Sequence, residues 1–373
     1  MGNRYSRHNP KKDQRQVTRI TVLSICGVNN SQASQNTMKK LISPRTALLF
    51  LVFLLLVYVF IITGSDEYSY SNVRGRGNDK QRHRPTGNRI PKFIDVQKRQ
   101  EEQIKRKAFI YKKCQQLHVT DSPYSVEDIQ DTIGRNIMVN DKYKLLFCFI
   151  PKVGCTTWKR IFLVLNGFIN TTLDLKPGEV KAVFSNITTL KQTTAIEALK
   201  KLKTYTKITF VRHPFSRVLS AFRSKLRPGL KFDYTKQWRD NLGRYIMKRY
   251  RSGTNRSTYD LTFTEFVRYL GDETQKTHYY YDNNHFYSQH KTCLPCHIDY
   301  DYIGTMETFK DDAEYILNAL VKDRFIELPM VAGTNSSSFS LQQEYYSKVP
   351  LHLLKLLYTR YQRDFQIFGY LPN

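Results

Sequence analysis

The chain predicts an α/β domain with a mainly parallel central sheet flanked by helices, and three observations carry the prediction. Apolar runs of strand length alternate with segments of helical periodicity. Two of those runs, Leu145 to Ile150 and Ile208 to Val211, each feed an amphipathic helix through a turn that contains proline. The stretch beyond residue 105 is about 270 residues long, which is enough for one domain with a sizeable core. It contains no internal repeat.

Taken in order, the first 40 residues are polar, basic and poor in large apolar groups, and are expected to be disordered. ALLFLVFLLLVYVFII, residues 47–62, carries no charge and is long enough to span a thin bilayer. Lys39, Lys40 and Arg45 precede it, and Asp66 and Glu67 follow it, so the positive-inside tendency puts the N-terminus in the cytosol. The expected layout is a cytoplasmic basic tail at 1–45 and a transmembrane signal anchor at 46–64. A lumenal stem at 65–104 and a lumenal globular domain at 105–373 complete it. A cleaved signal peptide is the competing reading. The long basic leader and the lack of an A-x-A site count against it. Asn170, Asn186, Asn255 and Asn335 head glycosylation sequons on the predicted lumenal side. The stem, with SNVRGRGNDKQRHRPTGNR, has linker composition, and QKRQEEQIKRKAFIYKKCQQL after it reads as a charged helix. At the other end, Leu351, Leu354, Leu357, Tyr358 and Tyr361 fall at helical spacing and are expected to pack on the core.

Chemistry concentrates in the two strand-turn-helix units. In the first, Pro151 ends the strand and Lys152, Val153, Gly154, Cys155, Thr156 and Thr157 form the turn and helix start. Trp158, Ile161, Phe162 and Leu165 make the apolar stripe beyond them, with Lys159 and Arg160 on the other side. Lysine, glycine and hydroxyls between a strand and a helix make an anion site, where free amides and the positive end of the helix dipole act together. No Gly-Lys-Ser/Thr closes the turn, so it is not a Walker A loop. In the second unit Arg212 stands at the strand end, and Phe215, Val218, Leu219 and Phe222 form the stripe. Arg212 and Ser220 can reach one phosphate, as a guanidinium fork and a hydroxyl donor. Two such units call for a ligand with two separated phosphates, the shape of a 3′,5′-bisphosphorylated nucleotide.

These residues resemble a known family. PKVGCTTWKR is similar to the 5′-phosphosulfate loop of the Golgi carbohydrate sulfotransferases, and VRHPFSRVLSAFRSK to their 3′-phosphate motif. The resemblance is to the group of chondroitin and dermatan 4-O-sulfotransferases and the glucuronyl 3-O-sulfotransferase of the natural-killer epitope. FTEFVRYLGD, CLPCHIDYDYIGTMETFKDDAEYIL and YQRDFQIFGY extend it over roughly 105–370. It implies a P-loop-like sulfotransferase fold, 3′-phosphoadenylyl sulfate as donor and a sugar hydroxyl as acceptor. It also implies donor contact across Pro151 to Thr157. The same holds for Arg212, His213, Pro214, Phe215, Ser216, Arg217, Val218, Leu219 and Ser220, although His213 stands where relatives often carry an acidic residue and has no role of its own assigned.

Lys152 is the expected leaving-group stabiliser, because charge grows on the departing phosphate oxygen and positioning with electrostatics carries such transfers. No metal is required where lysine and arginine supply the positive charge. The expected general base is His285, eight residues before Cys293, at a position that is histidine followed by tryptophan in relatives. Here Phe286 replaces that tryptophan, which puts sugar stacking there in doubt. Glu307 is the runner-up base.

The cysteines admit a zinc reading through Cys293, Cys296, His290 and His297, but a second ligand pair is missing and an oxidising lumen favours disulfides. Cys114, Cys148, Cys155, Cys293 and Cys296 are odd in number, so one is unpaired, and Cys155 in the donor loop is the expected free thiol. The pairing of the others is open.

With 59 Lys+Arg against 32 Asp+Glu and a formal charge of +27, the chain favours a polyanionic partner. Membrane anchorage points away from nucleic acid and toward an anionic glycan or glycosaminoglycan. The alternative is a catalytically inactive, membrane-anchored binder of sulfated glycans, which would have no need of both phosphate motifs. A nucleoside-triphosphate enzyme fits less well, lacking the glycine-rich loop and acidic metal ligands. LVLNG and FVRYLGD resemble the glucuronyl 3-O enzyme and CHIDYD the chondroitin 4-O enzymes, so the acceptor stays open.

Overall fold

A computed structural model of the chain describes residues 95–121, 124–176, 179–230, 233–252, 258–329 and 336–372. The expected tail, membrane segment and most of the stem lie outside these residues, as do Asn255 and Asn335. Among the described residues no helix is long and apolar enough to cross a membrane.

The helices and strands run α1 (Val96–Gln116), α2 (Val126–Ile133), β1 (Ile137–Asn140), β2 (Leu145–Cys148), α3 (Cys155–Leu165), α4 (Ala195–Thr204) and β3 (Thr206–Val211). There follow α5 (Pro214–Lys225), α6 (Phe263–Gly271), β4 (Tyr302–Thr305), α7 (Phe309–Leu320) and α8 (Leu351–Phe368), besides shorter helical pieces named where they matter. The sheet has the order β1-β2-β3-β4. β2, β3 and β4 are parallel, with Phe147 opposite Ile208 and Phe210 opposite Gly304, and β1 adds an antiparallel edge. This is the expected central sheet flanked by helices. β2 is buried throughout, as its unbroken apolar run requires. It leaves the ladder at Cys148, two residues before the end of that run, and the Phe149 N–H donates to the Asn136 carbonyl instead.

Helix α1 is the charged helix that its composition predicts. It docks on the sheet edge, where Gln103 Oε1 accepts from the Ile303 N–H of β4 at 2.8 Å. An exposed ladder is thereby covered by a side chain. Arg106 reaches Asp312, fully buried on α7, at 2.8 Å, and Arg99 reaches it at 3.5 Å. A buried carboxylate needs such partners. The helix runs unbroken through the expected stem boundary at 104/105, so the folded body takes in Val96 onward.

Two disulfides, Cys114–Cys296 and Cys148–Cys293, fasten the segment 289–298 to α1 and to the end of β2. They occupy the cysteines of the zinc reading and leave Cys155 free, as its expected role requires. On α8 the inward residues are Leu353, Leu357, Tyr361 and Phe365, whereas Leu351, at the first helical position, is 67% exposed. It begins the helix before the helix meets the core.

Candidate active site

The donor loop is a left-handed corner between β2 and α3. The Val153 N–H bonds back to the Ile150 carbonyl, and both Lys152 (φ 73°) and Gly154 (φ 63°) adopt positive φ. For glycine that geometry is free, but for lysine it is an outlier of the kind that concentrates at functional sites. A side chain at 154 is also excluded by packing, since a Cβ there would lie 2.2 Å from the Phe309 ring. Helix α3 starts at once, and the amides of Gly154, Cys155 and Thr156 donate to nothing among the described residues. These are the unpaired N–H groups where the sequence reading expects an anion.

The Lys152 ammonium makes no hydrogen bond or ion pair among the described residues. Surrounding protein lowers its pKa to about 8, and Lys225, Arg212 and Arg217 push in the same direction. The side chain retains some surface exposure, but the desolvation is the larger influence.

The second motif meets the first directly. Arg212, buried at the end of β3, donates from Nη1 to the Lys152 carbonyl at 3.0 Å and from Nη2 to Ser337 Oγ at 2.9 Å, while its Nε is buried without a partner. Burial lowers its pKa to about 10. Gln289 fixes the Arg212 backbone, accepting from its N–H and donating to its carbonyl. Ser220, two turns along α5, is buried on the same helix.

The other residues of that motif have structural tasks. The His213 ring caps α5 by accepting from the Ser216 N–H, and its Nε2 lies 2.9 Å from the Leu371 carbonyl. It packs edge-on against Phe215, Phe365 and Tyr370. Pro214 is the first helical residue, and Phe215, Val218 and Leu219 lie in the core. Ser216 is buried as well. Arg217, read as lying off the apolar stripe, is 1% exposed, and its guanidinium satisfies three carbonyls. Nε bonds Pro151 at 3.0 Å, Nη1 bonds Tyr287 at 2.6 Å and Nη2 bonds Asn284 at 2.7 Å. Arg160, read as outward on α3, is likewise buried and donates to the Thr172 carbonyl. Both helices are enclosed nearly all round, so neither has a free polar face.

His285 stands on the loop that Arg217 grips. Asn283 Oδ1 accepts from the His285 backbone N–H at 3.0 Å and lies 3.0 Å from His285 Nδ1. An oxygen that already accepts one bond requires Nδ1 to carry the proton, which leaves Nε2 as a lone pair. Burial holds the imidazole pKa well below its usual value, assisted by Lys225, Lys152, Arg217 and Lys159. The ring is therefore neutral and within electrostatic reach of Lys152. Phe286 is 1% exposed and packs against Phe266, so it offers no platform. Glu307 instead accepts from the His213 N–H and the Tyr370 hydroxyl, so both its oxygens are engaged.

The sequence reading named Arg217 only as a donor contact, not as the clamp between the two loops, and it missed Asn283 and the half-buried Trp238, whose ring meets His285 edge-on at 4.9 Å. Only the asparagine left a local signal, as an Asx turn two residues ahead of the histidine.

Comparison with known proteins finds matches to one family. The sequence model of the Sulfotransferase family matches residues 135–371. Carbohydrate sulfotransferase 10 of Xenopus laevis is 35% identical over 242 residues, 63% of this chain and 67% of its own length. Carbohydrate sulfotransferase 14 of Danio rerio is 35% identical over 268 residues, covering 70% of this chain and 69% of its own. Carbohydrate sulfotransferase 11 of Rattus norvegicus is 31% identical over 242 residues, 64% and 68% of the two chains. No solved structure gives a significant match.

Proposed function

The chain belongs to the sulfotransferase family, and from that premise we propose that it sulfates an anionic glycan. The acceptor is O4 of N-acetylgalactosamine in chondroitin or dermatan, or O3 of a terminal glucuronyl residue. The names of its relatives support a carbohydrate acceptor. One observation carries the reading: Arg212 is hydrogen-bonded to the carbonyl of Lys152, which joins two anion-binding turns beside a neutral histidine.

The residues fit 3′-phosphoadenylyl sulfate. Ser220 and the Arg212 Nε, which has no partner, suit its 3′-phosphate, and the amides of 154–156 with Lys152 suit its 5′ end. When bound, that molecule supplies a sulfuryl group on a phosphate leaving group. His285 Nε2 takes the proton of the acceptor hydroxyl as that oxygen bonds to sulfur. Lys152 neutralises the charge that grows on the phosphate oxygen as its bond to sulfur breaks. Arg217 holds the two loops in register by binding the carbonyls of Pro151, Asn284 and Tyr287.

The reading includes a type II protein of the Golgi membrane, anchored through 46–64 with its catalytic domain in the lumen. Two disulfides support the oxidising compartment, and exposed Asn170 and Asn186 are compatible with glycosylation there. The deciding experiment is transfer of labelled sulfate from 3′-phosphoadenylyl sulfate to desulfated chondroitin, desulfated dermatan and a glucuronyl-lactosamine acceptor. Transfer to one of these and its loss in Lys152→Ala support the reading. Binding of glycan with no transfer to any of them overturns it in favour of an inactive binder.

A further inference from the structure

Beside His285 lies an aromatic and cationic surface that the donor site does not use. The chain has two tryptophans. Trp158 is fully buried and stacked on Phe147 at 4.4 Å. Trp238 is half-buried, and its ring stands 4.9 Å from the His285 ring at 73°. It ends the short helix Asp233–Trp238, and a π-helical turn, Arg239–Gly243, follows immediately. Such wide turns are frequent at functional sites. Tyr280 packs on the Trp238 ring at 5.7 Å and accepts from Asn241 Nδ2 within that turn, which fixes the indole. Lys225, the last residue of α5, holds its ammonium 5.5 Å from the centre of the same ring.

We propose that Trp238 and Lys225 form the acceptor subsite, and that it takes a pyranose ring bearing a carboxylate, a uronic acid, next to the hydroxyl that faces His285. The inference rests on the sulfotransferase reading and adds the residues that choose the acceptor. The C–H face of a pyranose stacks on indole, and the ammonium pairs with the carboxylate. The indole thus supplies the platform that buried Phe286 cannot. The subsite also couples binding to chemistry. Lys225 is the strongest of the neighbouring charges holding the His285 pKa down, so a carboxylate against Lys225 offsets that effect and makes His285 a better base when the acceptor is in place.

The test uses the full-length chain, with desulfated chondroitin and its carboxyl-reduced counterpart as probes. Indole emission reads binding without turnover, because buried Trp158 gives a constant background. Desulfated chondroitin should change the emission of the unsubstituted chain and leave that of Trp238→Phe unchanged. In transfer assays Trp238→Ala should raise the acceptor KM about tenfold or more at little cost in kcat, the loss expected for a stacking platform. Affinity for 3′,5′-bisphosphoadenosine should not change, and Trp238→Phe should restore most of the lost affinity. Lys225→Gln should abolish the preference for the carboxylated over the reduced glycan.

An emission that ignores the glycan overturns the subsite, as does a Lys225→Gln chain that keeps the preference. If Trp238→Ala does not fold, the emission and the Lys225→Gln arm still decide. Should the unsubstituted chain bind glycan through Trp238 yet transfer no sulfate, the enzymatic reading fails while the subsite stands.

Discussion

Arg217 Nε donates to the carbonyl oxygen of Pro151 at 3.0 Å, and the same guanidinium holds Tyr287 and Asn284. One buried cation therefore sets the donor turn and the loop of His285 relative to each other. Neither loop can shift without breaking a charge-assisted hydrogen bond in a site closed to water.

Arg217→Ala should destabilise the protein by about 3–5 kcal/mol, because it strands buried carbonyls and leaves a hole. Arg217→Lys, which keeps the charge but not the fork, should fall between the two. Urea unfolding measures both, with titration of 3′,5′-bisphosphoadenosine as the second readout. A loss below about 1 kcal/mol for the alanine variant would contradict this role.

Lys152 predicts how donor affinity depends on pH. Burial brings its pKa in the ligand-free protein to about 8, and a bound anion favours the charged form. Affinity for 3′,5′-bisphosphoadenosine should thus be flat below pH 8 and decline above it, by up to about tenfold per unit. Lys152→Arg should flatten the decline, since guanidinium stays charged. Lys152→Ala should lower kcat by roughly 10²–10³. An alkaline decline that survives in Lys152→Arg would assign it to another group.

Much of this was legible because it is local. Leu145 to Gly154 announces a strand, a proline stop and a glycine-containing turn within ten residues, and each signal depends on backbone sterics that need no tertiary context. The odd cysteine could be assigned to Cys155 because of its loop. The pairs Cys114–Cys296 and Cys148–Cys293 could not, because they span separations of 182 and 145 residues. Arg217 was misplaced for a similar reason. Helical periodicity separates polar from apolar faces only when one face meets water, and α5 is buried on both. The docking of α1 depends on Asp312, more than 200 positions away from Arg99 and Arg106.

Gly154 should tolerate nothing larger. Alanine there combines an unfavourable positive φ with a Cβ only 2.2 Å from the Phe309 ring. The expected cost is about 2–4 kcal/mol, together with weakened donor binding. Phe309→Ala in the same chain removes the overlap and leaves the backbone penalty, so it should recover only part of the donor affinity. Full recovery in a binding titration would show that the left-handed corner carries no penalty for alanine.

His285 and Glu307 compete for the part of general base, and their hydrogen bonds separate them. Asn283 Oδ1 holds the His285 proton on Nδ1, which leaves Nε2 able to accept, whereas both Glu307 oxygens are engaged by the His213 N–H and the Tyr370 hydroxyl. His285→Ala should lower kcat by about 10²–10⁴ with donor affinity retained. Asn283→Ala, which frees the tautomer without removing the base, should cost on the order of tenfold. Glu307→Gln should leave kcat near normal. The acid side of the pH profile gives a further check, because a histidine whose pKa is held well below its usual value stays unprotonated through the neutral range. Activity should therefore persist as the pH falls past 6.5 and be lost only on further acidification, as Nε2 becomes protonated. A kcat that survives His285→Ala and collapses in Glu307→Gln would transfer the role to the carboxylate.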